Sequence, residues 1–315
     1  MTSTLTSAGG AAAADPRPAA ASPRPSVTRR ATFGGVVKSE RIKLFSLRSI
    51  KLTLGITVLF GIGLSALVAI VFSGELRDAA TGGGMGFLTT DDAGLRSYLM
   101  LVATVATPFL ALIFGVLGVF SISSEYSSGM ILSTLAAVPK RWPVFFAKGL
   151  VLALVAGVAA IVLTAGGLAA AVLCYPDAAP QLANGMVISG ALGAVAYLVL
   201  TALLAFGVAA LLRSTAGGIA VIAGLVFVLP IAFELLSMTG WEWVSELARF
   251  LPSQLGQVMG AGISESTTSA AVDPAMGEST GPDPLTFWGA FAAMGAWVVV
   301  FVAPAAVLFA RRDAK

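Results

Sequence analysis

The stretch GLVLALVAGVAAIVLTAGGLAAAVLCY, residues 149–175, decides the fold. It holds no Asp, Glu, Lys or Arg, and it exceeds the about 20 residues that an α-helix needs to cross a hydrocarbon core of roughly 30 Å. Backbone hydrogen bonds left open in lipid are costly, and the run lacks the alternation of a barrel strand, so it reads as a membrane-spanning α-helix. Five further stretches read the same way. We place spans at residues 52–72, 98–122, 149–175, 186–212, 217–237 and 285–310, and only the fifth contains a charge, Glu234, near its end. The whole chain agrees with that reading: of 315 residues 57% are hydrophobic and 11% charged, with a mean hydropathy of +0.92, whereas a soluble domain carries about a quarter charged residues. The expected fold is an all-α polytopic membrane protein with six transmembrane helices.

Basic residues set the orientation, because Lys and Arg are retained on the cytoplasmic side during insertion. With the N-terminus inside, sixteen of the nineteen fall in inner segments, and only Arg77, Arg96 and Arg249 fall outside. Both termini are therefore expected to be cytoplasmic. Residues 1–32, rich in Ala, Pro, Ser and Thr, read as a disordered cytoplasmic tail, and 33–315 as the six-span domain. Arg29 and Arg30 faintly suggest a twin-arginine export signal, but Lys38, Glu40, Arg41 and Lys43 occupy the place of its apolar region. These charges serve instead to hold the N-terminus inside, against an anionic leaflet.

Several chemistries are absent from the composition. Histidine is missing, which removes a His general base, a His-activated nucleophile and His-liganded metals. Cys174 is the single cysteine, so there is no intrachain disulfide, and its position suits a small residue at a helix end. An intramembrane hydrolase would need a carboxylate or Ser-Lys pair at membrane depth; Asp91 and Asp92 lie in an outer loop, and neither pair occurs within a span. Glu234 sits near enough to the outer end of span five to reach interfacial water. No catalytic, metal-binding or cofactor-binding residues are expected. Pro108, Pro230 and Pro304 interrupt spans two, five and six, where they favour kinks. Gly166, Gly190 and Gly193 allow close helix contacts.

Three irregular segments carry the specific information. Residues 35–51 are polar and basic immediately before span one and resemble an interfacial helix, although their apolar and charged positions overlap in helical projection. They read as a basic membrane anchor or as a docking element for a cytoplasmic partner. After span two, Glu125 and Gly129 lead into a short apolar stretch containing Leu135, closed by Pro139 and followed by Lys140 and Arg141. Glycine permits a sharp exit from the span and proline stops the following turns, so a helix of roughly two turns should lie along the surface or press into another protein. A plain cytoplasmic loop is the competing reading. Outside, between spans five and six, residues 241–251 place Trp241, Trp243, Leu247 and Phe250 on one arc and Glu242, Ser245, Glu246 and Arg249 on the other. Pro252 closes that run, which reads as an amphipathic outer helix, at the surface or re-entrant.

At these residues the chain resembles the permease subunits of type-2 ATP-binding-cassette (ABC) exporters, particularly Ala- and Gly-rich bacterial permeases with six spans. The resemblance covers about 33–315. It rests on Glu125, Gly129, Leu135, Pro139, Arg141 and Lys148 between spans two and three, on Ser39-Glu40-Arg41-Ile42-Lys43-Leu44 before span one, and on Arg311-Arg312-Asp313 at the end. It implies that 125–141 is the main coupling element to a separate ATPase subunit, with Lys148 beside it. Lys38, Glu40, Arg41 and Lys43 would form a secondary ATPase contact, and the outer amphipathic helix a lid over the translocation path; an interfacial anchor is the simpler alternative for that helix. It further implies a location in the bacterial cytoplasmic membrane, a second permease chain as homo- or heterodimer, and usually two ATPase copies that carry ATP and Mg. This chain has no Gly-x-x-x-x-Gly-Lys-Ser/Thr loop of its own; Gly82-Gly83-Gly84 is not followed by Lys at the required spacing. The expected function is thus the transmembrane permease subunit of an ABC exporter, not itself an enzyme. The competing class is an ATPase-independent secondary carrier or channel, which commonly places ionisable or broken-helix sites near the midplane.

Overall fold

A computed structural model describes residues 32–46, 48–83, 86–127, 141–263 and 285–311, with the backbone alone at 44–46, 48–49, 125–127, 141 and 242. Within them, α1 (Phe33–Ser46) precedes the long α2 (Arg48–Ala80), then α3 (Asp92–Thr104), α4 (Thr107–Ser127) and α5 (Arg141–Cys174). A 3₁₀ segment (Pro176–Ala183) leads into α6 (Gly185–Leu212) and α7 (Thr215–Ala223). A π-helical turn (Gly224–Val228) joins α7 to α8 (Leu229–Ser237), followed by α9 (Glu242–Ala248), α10 (Pro252–Ala261) and α11 (Phe287–Arg311). Among the described residues, six apolar helical spans have membrane-crossing length, at Ile50–Ala80, Asp92–Ser124, Trp142–Cys174, Gly185–Leu212, Thr215–Ser237 and Phe287–Arg311. The chain is a polytopic all-α membrane protein.

Several spans are longer than the apolar runs predict, and each extension has a visible cause. Beyond residue 72, α2 continues because Leu76 is buried and the Arg77 guanidinium donates to the Cys174 carbonyl at 2.7 Å. Span two starts at Asp92 because Asp91 caps α3: its carboxylate accepts the Gly94 N–H at 3.0 Å and the Thr89 hydroxyl. The Thr89 hydrogen bond first, and the Gly94 one next, hold that carboxyl below its ordinary pKa.

Two of the three prolines mark real interruptions. Span two breaks at Val105–Ala106, between α3 and α4, because Pro108 supplies no N–H to the carbonyl four residues back. Span five carries its π-helical turn just before Pro230, where the Leu229 N–H bonds Gly224 O. Around Pro304, by contrast, α11 runs on as one helix.

The bundle is organised around α6, which packs against α3, α4, α5, α7, α10 and α11. Over an 18-residue apolar stretch it is 61% buried, against 11% for span five. Small residues permit this. A β-carbon at Gly118 of α4 would overlap the Ala202 carbonyl, and one at Gly207 would meet Val302 of α11 at 2.9 Å. At Gly193 it would strike the Met259 carbonyl, and at Gly166 it would lie 2.7 Å from Ile62. Gly166, Gly190 and Gly193 thus do sit at close helix contacts. At one end of the bundle, Phe145 of α5 packs against Phe206 (centroids 4.9 Å apart) and Phe309 (5.5 Å). Near the other end, the buried Tyr98 hydroxyl shares its proton between the carbonyls of Ala69 (3.2 Å) and Ala171 (3.1 Å), tying α3 to α2 and α5.

Because the Ala202 backbone cannot retreat cheaply, Gly118→Ala is expected to destabilise the bundle by about 1–3 kcal/mol. Gly63→Ala, at a helical position with nothing within 4 Å, should be neutral or stabilising by up to about 1 kcal/mol. Thermal unfolding of the two variants in one detergent measures the difference.

Candidate functional site

The residues singled out before span one and after span two are partly drawn together at the α1 end of the bundle. On α1, Val36, Glu40 and Lys43 recur at helical spacing on one face, and Val36 packs with Val144 and Ala147 of α5. The Lys148 ammonium donates to Glu40 Oε2 at 2.5 Å, and the Lys43 ammonium to Glu40 Oε1 at 2.8 Å. Both partners of the first pair are nearly inaccessible, the Glu40 side chain 4% and that of Lys148 6% exposed, while Lys43 is about one-third exposed at 32%. Burial pushes the Glu40 carboxyl upward, but the charge and hydrogen bond of Lys148, joined by those of Lys43, outweigh it, so the pKa lies below the usual carboxylate range. This clamp lets α5 continue past Lys148 toward Trp142 instead of starting at residue 149.

The other predicted residues are spread around it. Lys38 and Arg41 are exposed on the neighbouring face of α1, beside α2 and α5, and no ion pair joins either one within the described residues. Glu125 lies in the last turn of α4, and Arg141 opens α5. Gly129, Leu135 and Pro139, with the short helix expected around them, lie outside the described residues, as do residues 1–31 and 312–315.

At the opposite end, the helix expected at 241–251 is present in part as α9. Trp241 and Trp243 stack at 5.8 Å, and both are about half exposed together with Leu247, while Val244 is fully buried. Phe250 is exposed as well, with the Arg249 guanidinium 5.0 Å from its ring centre; its carbonyl accepts from the Trp297 indole N–H at 2.9 Å. Beyond that point lies an element that the sequence pattern misses. Pro252 does not close the segment but starts α10, whose Leu255, Gly256, Met259 and Gly260 are buried against α6 and α11. Gly256 faces the Tyr197 ring, and Gly190 and Gly193 face the carbonyls of Gly260 and Met259. The Gly256–Gly260 spacing, matched to the glycines of span four, is the signal that identifies it. Glu234 is exposed near the end of α8.

Between α10, the break in span two and the π-helical turn lies a cavity of about 310 Å³. Ser97, Thr104, Thr107, Ser253 and Gln257 supply its polar lining, and Met100, Tyr197 and Val226 much of the rest. Among the described residues, no charged side chain lines it. The Ser253 hydroxyl is buried there with no hydrogen-bond partner among the described residues. Among the described residues, no cluster of three or more Cys, Asp or Glu is gathered to hold a metal.

No protein-family model matches this chain, and no curated protein does.

Lys148→Ala leaves the buried Glu40 carboxylate with only the partly exposed Lys43 as partner, so it should cost about 1–3 kcal/mol, whereas Glu40→Leu combined with Lys148→Met should recover much of that loss. Thermal unfolding checks both. With the Glu40 pKa lowered by folding, the clamp contributes fully above the ordinary value of about 4.3 and is lost as pH falls through the folded value. Cleavage within α1 by an acid-active protease should therefore rise as pH falls below that ordinary value, and cleavage by a neutral protease at about pH 7 should rise in the Lys148→Ala variant.

Proposed function

We propose that this chain is the transmembrane permease subunit of an ATP-driven exporter of the ABC type, forming half of a translocation pathway completed by a second permease chain. A separate ATPase drives it from the α1 end. The observation that carries this reading is the Glu40–Lys148 clamp, which fastens α1 to the first turns of α5, the helix that begins at Arg141, the last residue of the 125–141 segment. A force delivered at Arg141 enters α5 and reaches α1 through the clamp. Glu125, Gly129, Leu135, Pro139 and Arg141 form the main contact with the ATPase. α1 is a second contact, positioned by Glu40 and Lys43. ATP binding closes the ATPase pair against these elements, hydrolysis resets them, and α9 covers the opposite end of the path.

The second reading, a carrier or channel independent of ATPase, is favoured by the cavity beside two interrupted helices, the arrangement in which carriers bind substrates. Among the described residues no charged side chain lines that cavity, which weighs against coupling to a proton or sodium ion.

Two outcomes separate these readings. Purified from its native membrane, the chain should bring down a cassette ATPase, and Glu125→Ala or Gly129→Leu should abolish transport and stimulated ATP hydrolysis while leaving insertion intact. Ion-driven flux by the reconstituted chain alone, or normal transport by both variants, overturns the exporter reading.

A further inference from the structure

We propose that the groove between α1, α2 and α5 is a binding site for one anionic phospholipid of the adjoining leaflet. This inference requires only that the chain lie in a bilayer and is independent of the exporter reading. The groove encloses about 630 Å³. One wall is the face of α1 that carries Gly34, Val37, Lys38 and Arg41, the second holds Leu54 and Val58 of α2, and the floor is α5 from Val151 to Val162.

Its chemistry is divided along its length. At the α1 end sit two cations, Lys38 and Arg41, both exposed and neither in an ion pair among the described residues. Everything deeper is aliphatic. From Val151 to Val162 the floor rises about 16 Å, at roughly 1.5 Å per residue, close to half of a hydrocarbon core of roughly 30 Å. The apolar part is thus as deep as one leaflet, the depth an acyl chain occupies. Along it, Leu154, Val158 and Val162 remain exposed.

The cations also lie at headgroup height. Near the start of α5, Trp142 and Phe146 stack at 5.9 Å and are about half exposed, as aromatic side chains are at the water–lipid boundary. Through Val36, α1 rests on Val144 and Ala147 in those same turns. A phosphodiester at that height accepts hydrogen bonds from the Arg41 guanidinium and the Lys38 ammonium while its chain follows the valines of α5. The Glu40–Lys148 clamp matters here because it turns the one acidic side chain of α1 away from the groove. Left unpaired, Glu40 would repel the same phosphate.

Native mass spectrometry of the full chain in mixed micelles of equimolar phosphatidylcholine and phosphatidylglycerol tests the assignment. Phosphatidylglycerol should be retained preferentially as a single bound copy. Lys38→Gln with Arg41→Gln should reduce that preference by about 30-fold at low salt, near fivefold per cation. Val158→Trp, which fills the groove and leaves the cations, should reduce retention of both lipids. An excess of inorganic phosphate should leave the lipid bound. Equal retention of the two lipids, an unchanged preference in the double variant, displacement by phosphate alone, or cross-links from position 158 to a second copy would each overturn the proposal.

Discussion

In hydrocarbon, burying an apolar side chain between helices gains little over leaving it against lipid, so association depends on how closely backbones approach and on the few polar groups that find each other. In this bundle α6 meets that condition. Gly190 and Gly193 admit α10, while Gly118 of α4 and Gly207 of α6 let backbones meet without an intervening side chain. Large side chains appear where three helices converge, as at Phe145, Phe206 and Phe309, and fill space that glycine would leave empty. The least buried spans, one, five and six, expose long apolar faces suited to lipid or to another chain.

Polar chemistry is concentrated at the two ends. The α1 end is held by a carboxylate between two ammonium groups, a costly arrangement unless complete, and here Glu40 receives a donor at each oxygen. At the other end Arg77, Arg96 and Tyr98 bind carbonyl or amide oxygens of neighbouring elements. Midway lie the break in span two and the π-helical turn in span five, with a cavity beside them that no charged side chain lines among the described residues. Rigid ends around an interrupted middle suit a protein whose helices shift by bending near their centres.

Much of this architecture is legible in the amino-acid sequence. An uncharged run such as 149–175 has one solution in a bilayer, and five such runs with a sixth that carries only Glu234 near its end give six helices. Pro108 and Pro230 signal breaks because proline removes a backbone donor wherever it sits, yet Pro304 shows that the same loss can be absorbed within a continuous helix. Residues 241–251 are readable as amphipathic because Trp and Glu segregate cleanly by angle. α10 is not, since its ten residues mix Ser, Gln and Gly with only a few apolar side chains, and Pro252 opens a helix as readily as it closes one.

The sequence by itself determined the number of spans, their helical nature and the concentration of basic residues in alternate loops, because each follows from local composition and the cost of exposing charge or backbone to lipid. Only the tertiary structure decided that Glu40 meets Lys148 across 108 positions, that α10 tucks against α6, and that Lys38 and Arg41 border a groove as deep as one leaflet. The overlapping projection of α1 conceals this division of labour. One of its faces is charged because it meets a buried lysine, and the next is charged because it borders that groove, a distinction that exists only once α5 lies alongside.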